Sequence, residues 1–178
     1  MVHASTIIHL PLICEPWRLQ GPAALTPAAF RQQIADLGRQ LAGRALDADL
    51  DAWLNRNHGA ESGTFAALKA ACVAGAAEGW LCNREAGGIR YGRIFKPADD
   101  LHGFSVDVVD MADVAGPHHS HPNGEIDLIM PIGGDARFDG HAAGWLVCPP
   151  GSAHRPTVTQ GRALVLYLLP QGAIEFTR

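Results

Sequence analysis

Charge is scarce in this 178-residue chain, and basic residues are not in excess. Charged side chains make up 18% of the sequence, below the share of about 25% that is usual in soluble domains. The 14 basic and 18 acidic residues give a formal net charge of −4. This balance argues against a general binder of nucleic acids or anionic membranes, because no basic excess is available to neutralise phosphates. An apolar share of 47% excludes an intrinsically disordered chain.

Long apolar runs and paired cysteines are missing as well. The longest early apolar run, residues 7–13, is short, is interrupted by His9 and Pro11 and follows no basic residue, so it predicts neither a secretory signal nor a membrane span. The four cysteines lie far apart without a CxxC pair, which argues against a zinc ribbon or a disulfide-rich scaffold. Cys72 and Cys148 are predicted to be small core residues, and the cysteine pattern favours a reducing, cytoplasmic location.

The first half of the chain is alanine-rich and has a helical pattern. Thr26-Pro27 is a typical helix start, and the apolar residues that follow repeat at spacings of four, three and four, which predicts an amphipathic helix. Two further helices are predicted over residues 47–57 and 63–78. Because this half lacks clustered ionisable groups, we expect residues 1–79 to form a helical region that packs on the rest of the chain or on a dimer partner.

The second half, residues 80–178, has the pattern of a β domain. Gly, Pro and Asp divide it into short segments, which is typical of a sandwich or barrel. The predicted strands cover residues 89–96, 104–109, 125–132, 144–148 and 163–169. The last strand is apolar on both faces, so both must be covered, and the helices of the first half are available to cover one. The predicted fold class is mainly β, and α+β overall.

Histidine is abundant, with nine residues against six Phe, four Trp and two Tyr. In a strand, residues two apart point to the same face, so His119 and His121 can present their imidazoles together. Glu125 joins them if the Pro-Asn-Gly bend before it preserves the phase, and His154 follows a second Pro-Gly turn. Three imidazoles and one carboxylate form a coherent site for a divalent metal, although a single HxH alone would be equally consistent with a solvated turn.

These residues resemble the two motifs of the cupin superfamily. His119, His121 and Glu125 match the first motif, and the second is matched by Gly144, Pro149, Gly151 and His154. The resemblance implies a single cupin β-barrel (a double-stranded β-helix, or jelly roll) over residues 80–178, with an α-helical N-terminal extension. It also implies that the three histidines and the glutamate bind the metal.

Two further residues are candidate proton carriers. Asp127 shares the strand face of Glu125, where a desolvated carboxylate can act as an acid or base. Given the uncertain strand register, a position at the barrel rim is the alternative for Asp127. His141 lies in the hairpin before the second motif and is either a second proton carrier or an ordinary turn residue.

Arginines near the predicted site are candidates for substrate binding. Arg90, Tyr91 and Arg93 lie on an early strand, and Arg155 follows His154. Arg90 and Arg93 have opposite parity, so only one of them can line a cavity. A cavity arginine would suit a carboxylate substrate, which accepts two parallel hydrogen bonds from a guanidinium. A solvated strand face is the alternative for each residue.

The whole layout, an alanine-rich helical half followed by one cupin unit carrying GPHHSHPNGEIDLIMPI and WLVCPPGSAHRPTV, resembles the 4-hydroxylaminobenzoate lyase family. The resemblance implies a bacterial, metal-dependent lyase of nitroaromatic degradation that converts 4-hydroxylaminobenzoate, or a similar aryl hydroxylamine, to protocatechuate and ammonia. The expected cofactor is a divalent ion (iron, manganese or zinc), with no nicotinamide, flavin or nucleotide, because no glycine-rich phosphate motif is present. The expected partners are a small aromatic carboxylate and a second copy in a homodimer, which the apolar residues 7–13 favour.

Two other classes of function stand beside the lyase. The same His and Glu set holds ferrous iron in metal-dependent dioxygenases, here acting on an aromatic or thiol substrate. A non-catalytic cupin that binds a small ligand is the second alternative, although the helices lack the basic face of a DNA reader. The fold does not choose among these classes, because one fold hosts many functions.

Overall fold

The computed structural model describes residues 25–177. The apolar run at residues 7–13 and Cys14 lie outside the described residues. Within the described part, three helices precede nine strands: α1 (Pro27–Leu41), α2 (Ala48–His58), α3 (Gly63–Glu78), β1 (Arg84–Ala86), β2 (Ile89–Phe95), β3 (Phe104–Ala115), β4 (His119–His121), β5 (Glu125–Phe138), β6 (Gly144–Cys148), β7 (Ser152–His154), β8 (Thr157–Pro170) and β9 (Glu175–Phe176). None of the helices described is long and apolar enough to cross a membrane.

Local sequence explains where the helices begin and end. Thr26, Asp47 and Ser62 precede the three helices, and each side chain accepts hydrogen bonds from backbone N–H groups of the first turn, which those groups would otherwise lack. Helix α3 ends at Gly79, whose φ of 81° is left-handed, a conformation that glycine adopts without steric cost. The predictions for α2 and α3 are confirmed to within one residue at each end.

The strands form two antiparallel sheets, one with the order β1-β2-β3-β8-β5-β6 and one with the order β7-β4-β9. From β3 onward, every connection except the β5–β6 hairpin crosses from one sheet to the other. The row β3-β8-β5-β6, with β7-β4-β9 in the second sheet, is the strand order of a jelly roll. The expected mainly β, cupin-type fold with an N-terminal helical extension is therefore confirmed.

The six-stranded sheet separates two apolar cores. On one face, Val106, Leu128 and Leu166 pack with residues of all three helices, including Phe30, Leu54 and Leu68. The other face contributes a second core that includes Ile129, Val165 and Tyr167. Strand β8 is thus covered on both sides, as its sequence predicts, and the helices supply one of the two covers.

Helix α2 also hydrogen-bonds to the open edge of strand β6. Asn55 Nδ2 donates to the carbonyl of Trp145 at 2.9 Å, and Asn55 Oδ1 accepts the N–H of Trp145 at 2.9 Å. Two residues further along β6, the N–H of Val147 donates to the carboxylate of Asp51 at 3.0 Å. These side chains take the place of a neighbouring strand, and so they protect an edge that could otherwise pair with another chain.

Strands β5 and β8 are longer than predicted, because glycines expected to interrupt them lie at bulges instead. The pairing of β5 with β8 shifts register between Pro131 and Gly133 and again between Gly134 and Arg137. A Cβ atom on Gly161 would lie 2.1 Å from the carbonyl oxygen of Gly133, so only glycine allows the two backbones to approach this closely. Strands β1, β4, β7 and β9 were not predicted as separate strands, because two or three residues are too few to show a period.

Candidate metal centre

Four side chains from three strands converge on the inner side of the sheets: His119 and His121 of β4, Glu125 of β5 and His154 of β7. The Nε2 atom of His154 lies 2.9 Å from Nε2 of His119 and 3.2 Å from Nε2 of His121. Glu125 Oε2 lies 2.9 Å from His121 Nε2, and Glu125 Oε1 lies 3.6 Å from His154 Nε2. One nitrogen of each imidazole and the carboxylate therefore face a common point.

Strand pairing and one glycine turn bring these residues together. His119 is the register partner of His154 in the β4–β7 pair, and cross-strand partners present their side chains on the same face. Gly124, with φ 82°, donates its N–H to the carbonyl of His121 at 3.1 Å. A Cβ atom there would lie 2.8 Å from the carbonyl oxygen of Cys148. This tight bend, formed by Pro-Asn-Gly, directs Glu125 back toward the histidines, as the sequence predicts.

The hydrogen bonds of the Nδ1 atoms explain why Nε2 is the available ligand atom in His119 and His154. His119 Nδ1 donates to the carbonyl of Pro117 at 3.1 Å, and His154 Nδ1 donates to Asp139 Oδ2 at 2.6 Å. Each of these hydrogen bonds leaves an Nε2 lone pair free to bind a metal. Both oxygens of buried Glu125 lack a hydrogen-bond partner within residues 25–177. Three ring nitrogens and a carboxylate that face one another at these distances are a donor set that fits a divalent cation.

The ionisation of two histidines differs with their surroundings. Burial, and then the neighbouring His121 and His154, lower the pKa of His119 to about 4, so its imidazole is neutral at physiological pH. Burial also acts to lower the pKa of His154, but the hydrogen bond to Asp139 and the charges of Glu125 and Asp139 outweigh it and raise that pKa. A metal bound at His154 must displace this proton, because only the neutral imidazole has the lone pair.

Asp127 is fully buried on the same strand face as Glu125, and not at an exposed rim. Neither of its oxygens meets a hydrogen-bond donor within residues 25–177, and the acidic group beside it is the carboxyl group of Glu125. Burial, and then the charge of Glu125, raise the pKa of Asp127 well above its ordinary value. Cys148 lies beside these two carboxylates, and burial, followed by the charges of Glu125, Asp139 and Asp51, raises the pKa of its thiol to about 12. Cys148 was predicted to be a core residue, but it is half-buried next to the site.

The arginines of β2 point to opposite faces of the sheet, as their parity predicts. Arg90 donates to the carbonyl of Ala76 in α3 at 3.2 Å and lies 3.5 Å from Asp110, so it belongs to the helix side. Arg93 is the register partner of Asp107, and its Nε atom donates to that carboxylate at 2.9 Å. The register continues from Asp107 through Tyr167 to Asp127, which places Arg93 on the face that carries the site.

The other predicted site residues lie at the surface. Tyr91 is 37% exposed. His141 is exposed in the turn after β5, where its backbone bridges to Phe138. Arg155 is exposed as well, and its Nη1 atom donates to the carbonyl of Gly116 at 3.1 Å. The roles assigned to these residues stay predictions.

Two residues next to the centre were not predicted. Asp139 holds the ring of His154, and no local pattern marks it, because the contact joins residues that only the hairpin register brings together. Phe176 of β9 is the register partner of His119. The two ring centroids lie 5.5 Å apart, yet Phe176 is 64% exposed. It therefore presents an exposed aromatic surface beside His119, and its only sequence signal is an aromatic residue in the last segment of the chain.

A jelly roll with an HxH, Glu and His cluster on its inner side defines a cupin-type protein with a candidate metal centre. Residues 32–176 match the 4-hydroxylaminobenzoate lyase family. A protein named 4-hydroxylaminobenzoate lyase from Pseudomonas putida is 31% identical over 150 residues, which cover 75% of this chain and 85% of that protein. Another of the same name from Nocardioides sp. (strain LMS-CY) is 32% identical, with coverage of 77% and 86%. The chain belongs to the 4-hydroxylaminobenzoate lyase family.

Solved structures show more distant likenesses. An RmlC-like cupin from Ralstonia eutropha JMP134 aligns with a TM-score of 0.41 and 16% identity, covering 52% of this chain and 62% of that one. An oxalate oxidase in complex with glycolate aligns with a TM-score of 0.39 and 23% identity, covering 52% and 57%. The fold assignment above rests on the sheet topology of this chain.

Proposed function

We propose that this protein is a metal-dependent lyase that converts 4-hydroxylaminobenzoate, or a closely similar aryl hydroxylamine, to protocatechuate and ammonia. The observation that carries the proposal is the convergence of His119, His121, Glu125 and His154 beside buried Asp127. Membership of the family, and the name that both relatives carry, supply the substrate class. Iron, manganese and zinc all suit a site of imidazole and carboxylate ligands.

The reaction balances without an external oxidant or reductant. The N–O bond of the hydroxylamine breaks, and two C–O bonds form at neighbouring ring carbons. One replaces the C–N bond, which releases ammonia, and the other replaces a C–H bond, whose hydrogen leaves as a proton. Substrate plus water gives protocatechuate plus ammonia. Nitrogen gains the two electrons that the ring loses, which is why no nicotinamide or flavin is needed.

Asp127 is the proposed proton donor to the hydroxylamine oxygen. Its burial favours the protonated form, and a protonated oxygen leaves as water more readily than as hydroxide. The carboxylate formed can then take a proton from the water that attacks the ring. A divalent ion held by the four ligands would act as a Lewis acid on the N–O bond. His141 is the second candidate proton carrier, and its exposed position would suit proton exchange with solvent.

The substrate carboxylate is assigned to an arginine and the substrate ring to an aromatic side chain. Arg155 donates to one backbone carbonyl, and within residues 25–177 it has no carboxylate partner, so most of its guanidinium is available to an anion. Arg93 is the second candidate, but a substrate would compete there with Asp107. Arg90 and Tyr91 are the weaker assignments, since Arg90 is bound on the helix side. The exposed ring of Phe176 offers an apolar surface for the aromatic ring of the substrate.

Turnover under nitrogen tests the proposal. Metal-loaded protein incubated with 4-hydroxylaminobenzoate should release protocatechuate and ammonia in equal amounts, measured by chromatography and by an ammonia assay. The Asp127→Asn variant should be slower by about 10²- to 10⁴-fold, and Asp135→Asn, at an exposed position of β5, is the matched control. Failure of metal-loaded protein to form either product would overturn the proposal, whereas turnover that requires oxygen would favour the dioxygenase.

A further inference from the structure

The carboxylate of Asp139 is held at both oxygens. Oδ2 accepts from His154 Nδ1 at 2.6 Å, and Oδ1 accepts from the backbone N–H of Thr157 at 2.7 Å. The backbone N–H of Asp139 in turn donates to the carbonyl of Thr157 at 2.9 Å. Because the side chain cannot rotate without losing one of these bonds, the start of β8 sets the position of the oxygen that meets His154.

The hairpin between β5 and β6 is shaped to deliver this contact. Asp139 has φ 48°, a left-handed conformation that is uncommon for residues with a Cβ atom, although Asp tolerates it better than most. The preceding Phe138 is buried, and its ring packs edge-on against His154 with centroids 6.0 Å apart. Two consecutive residues of one turn thus fix the same imidazole, one by packing and one by a charged hydrogen bond.

The other two imidazoles are held differently. His119 Nδ1 donates to a backbone carbonyl, that of Pro117, and His121 Nδ1 has no partner in the described part of the chain. Among the three histidines, His154 is therefore the one whose Nδ1 meets a carboxylate. A carboxylate partner orients a metal-bound histidine and makes the opposite nitrogen a stronger donor.

We propose that Asp139 is a positioning residue for the metal centre: it holds His154 with Nε2 directed at the metal and thereby sets the affinity of the site. This inference rests on the metal site of the proposed function, and it does not depend on the substrate. Loss of such a partner lowers metal affinity by about 10- to 100-fold in other proteins.

The near-isosteric variant Asp139→Asn gives the sharpest test. A single amide oxygen can accept from Thr157 or from His154 but not from both, and an NH₂ group turned toward His154 favours the tautomer that blocks Nε2. We expect the affinity of the full-length protein for Zn²⁺, measured by competition with a chromophoric chelator, to fall about 10- to 100-fold. The absorption bands of the Co²⁺-loaded protein should shift, and Asp135→Asn should change neither readout.

A double-mutant cycle separates positioning from a purely structural role. If Asp139 acts through His154, adding Asp139→Asn to His154→Ala should not weaken the residual Zn²⁺ affinity further. Additive losses, or an unchanged affinity and cobalt spectrum in Asp139→Asn alone, would overturn the inference. Because these readouts need no substrate, they stand whether or not 4-hydroxylaminobenzoate is turned over.

Discussion

The two faces of the six-stranded sheet are built from alternate residues of the same strands but differ in chemistry. On the helix side, the positions of β3, β5 and β8 that pack under the helices are apolar: Val106, Val108, Ile126, Leu128, Leu164, Leu166 and Leu168. Asp110, which is buried at the end of this face, is paired with Arg90 and Arg162. On the site side, the intervening positions include Ser105, Asp107, Glu125 and Asp127, all buried or half-buried. The side chains alone make this difference, since the two faces share the same strands and the same backbone hydrogen bonds.

The comparison separates the parts of the protein that stabilise the fold from those that serve the site. Burial of an apolar side chain contributes about 1.5–3 kcal/mol, so each apolar position on the helix side favours the folded state. Burial of a carboxylate without a partner costs free energy, and Glu125 and Asp127 both lack one within the described chain. Such a cost on one face only is expected where residues are retained for function.

The largest effect is expected from a substitution on the site side. His121→Ala removes a fully buried ligand and should abolish stoichiometric metal binding, measured by elemental analysis. Turnover should fall by about 10³-fold, since the Lewis acid contributes several kcal/mol. The neighbouring His118→Ala, whose side chain contacts Thr177 instead, is the control. Full metal content in His121→Ala would contradict the assignment of the site.

Truncation of an apolar side chain on the helix side should lower stability and leave metal binding unchanged. Leu128→Ala leaves a cavity beneath the helices and should lower the free energy of unfolding by about 2–5 kcal/mol, measured by urea denaturation. The folded fraction should still bind metal with the parent stoichiometry, because Leu128 faces away from the ligands. If metal content per folded chain fell as far as in His121→Ala, the two faces would not be independent.

Asp127→Asn should change how stability depends on pH. Because the folded-state pKa of Asp127 is raised, its protonated form is favoured in the folded protein. This contribution is complete below the unfolded pKa of about 4 and is lost as pH rises through the raised folded value. Metal-free wild-type protein should therefore lose up to about 1.4 kcal/mol of stability per pH unit between the unfolded pKa and the raised folded pKa, and no more above the folded pKa.

The Asn variant cannot ionise and should lack this loss. Denaturation of both metal-free proteins across a pH series measures the difference. Parallel stability curves for the two proteins would show that Asp127 does not hold its proton when the chain folds.

The smallest effect is expected at the exposed aromatic ring of Phe176. Phe176→Ala removes the exposed ring beside His119 and should raise KM about 2- to 12-fold, as expected for the loss of an aromatic pair contact of about 0.5–1.5 kcal/mol, with little change in kcat. Phe176→Leu keeps part of the apolar surface and should lie between. A fall in kcat at constant KM would instead place Phe176 in the chemistry.

Elements with a clear local period were predictable, and those that depend on long-range register were not. The stripe through Phe30 and Leu37 predicted α1, since one turn of a helix decides it. Strand β7 has only three residues, too few to carry a period. The extra length of β5 and β8 was missed because bulges, which two strands form jointly, place glycines inside a continuous ladder.

In the candidate site, too, the residues marked by a local pattern were predictable and those that depend on long-range register were not. His119, His121 and Glu125 are close in sequence, so strand parity and one glycine bend suffice to bring them together, and a second turn signal marked His154. The arginines were harder, because parity shows that Arg90 and Arg93 face opposite ways but not which of them faces the helices.

Local pattern thus accounts for the helices, the β character of the second half and the four converging ligands, because short-range backbone geometry governs each of them. Tertiary structure alone decides which face of the six-stranded sheet packs against the helices and which carries the site. It also decides that Asp127 is buried away from any hydrogen-bond donor of the described chain, and that Asp139 contacts His154. These properties arise from the pairing of β5 with β8 and from the hairpin that returns to β6. Pairing at that sequence distance depends on the packing of the whole chain.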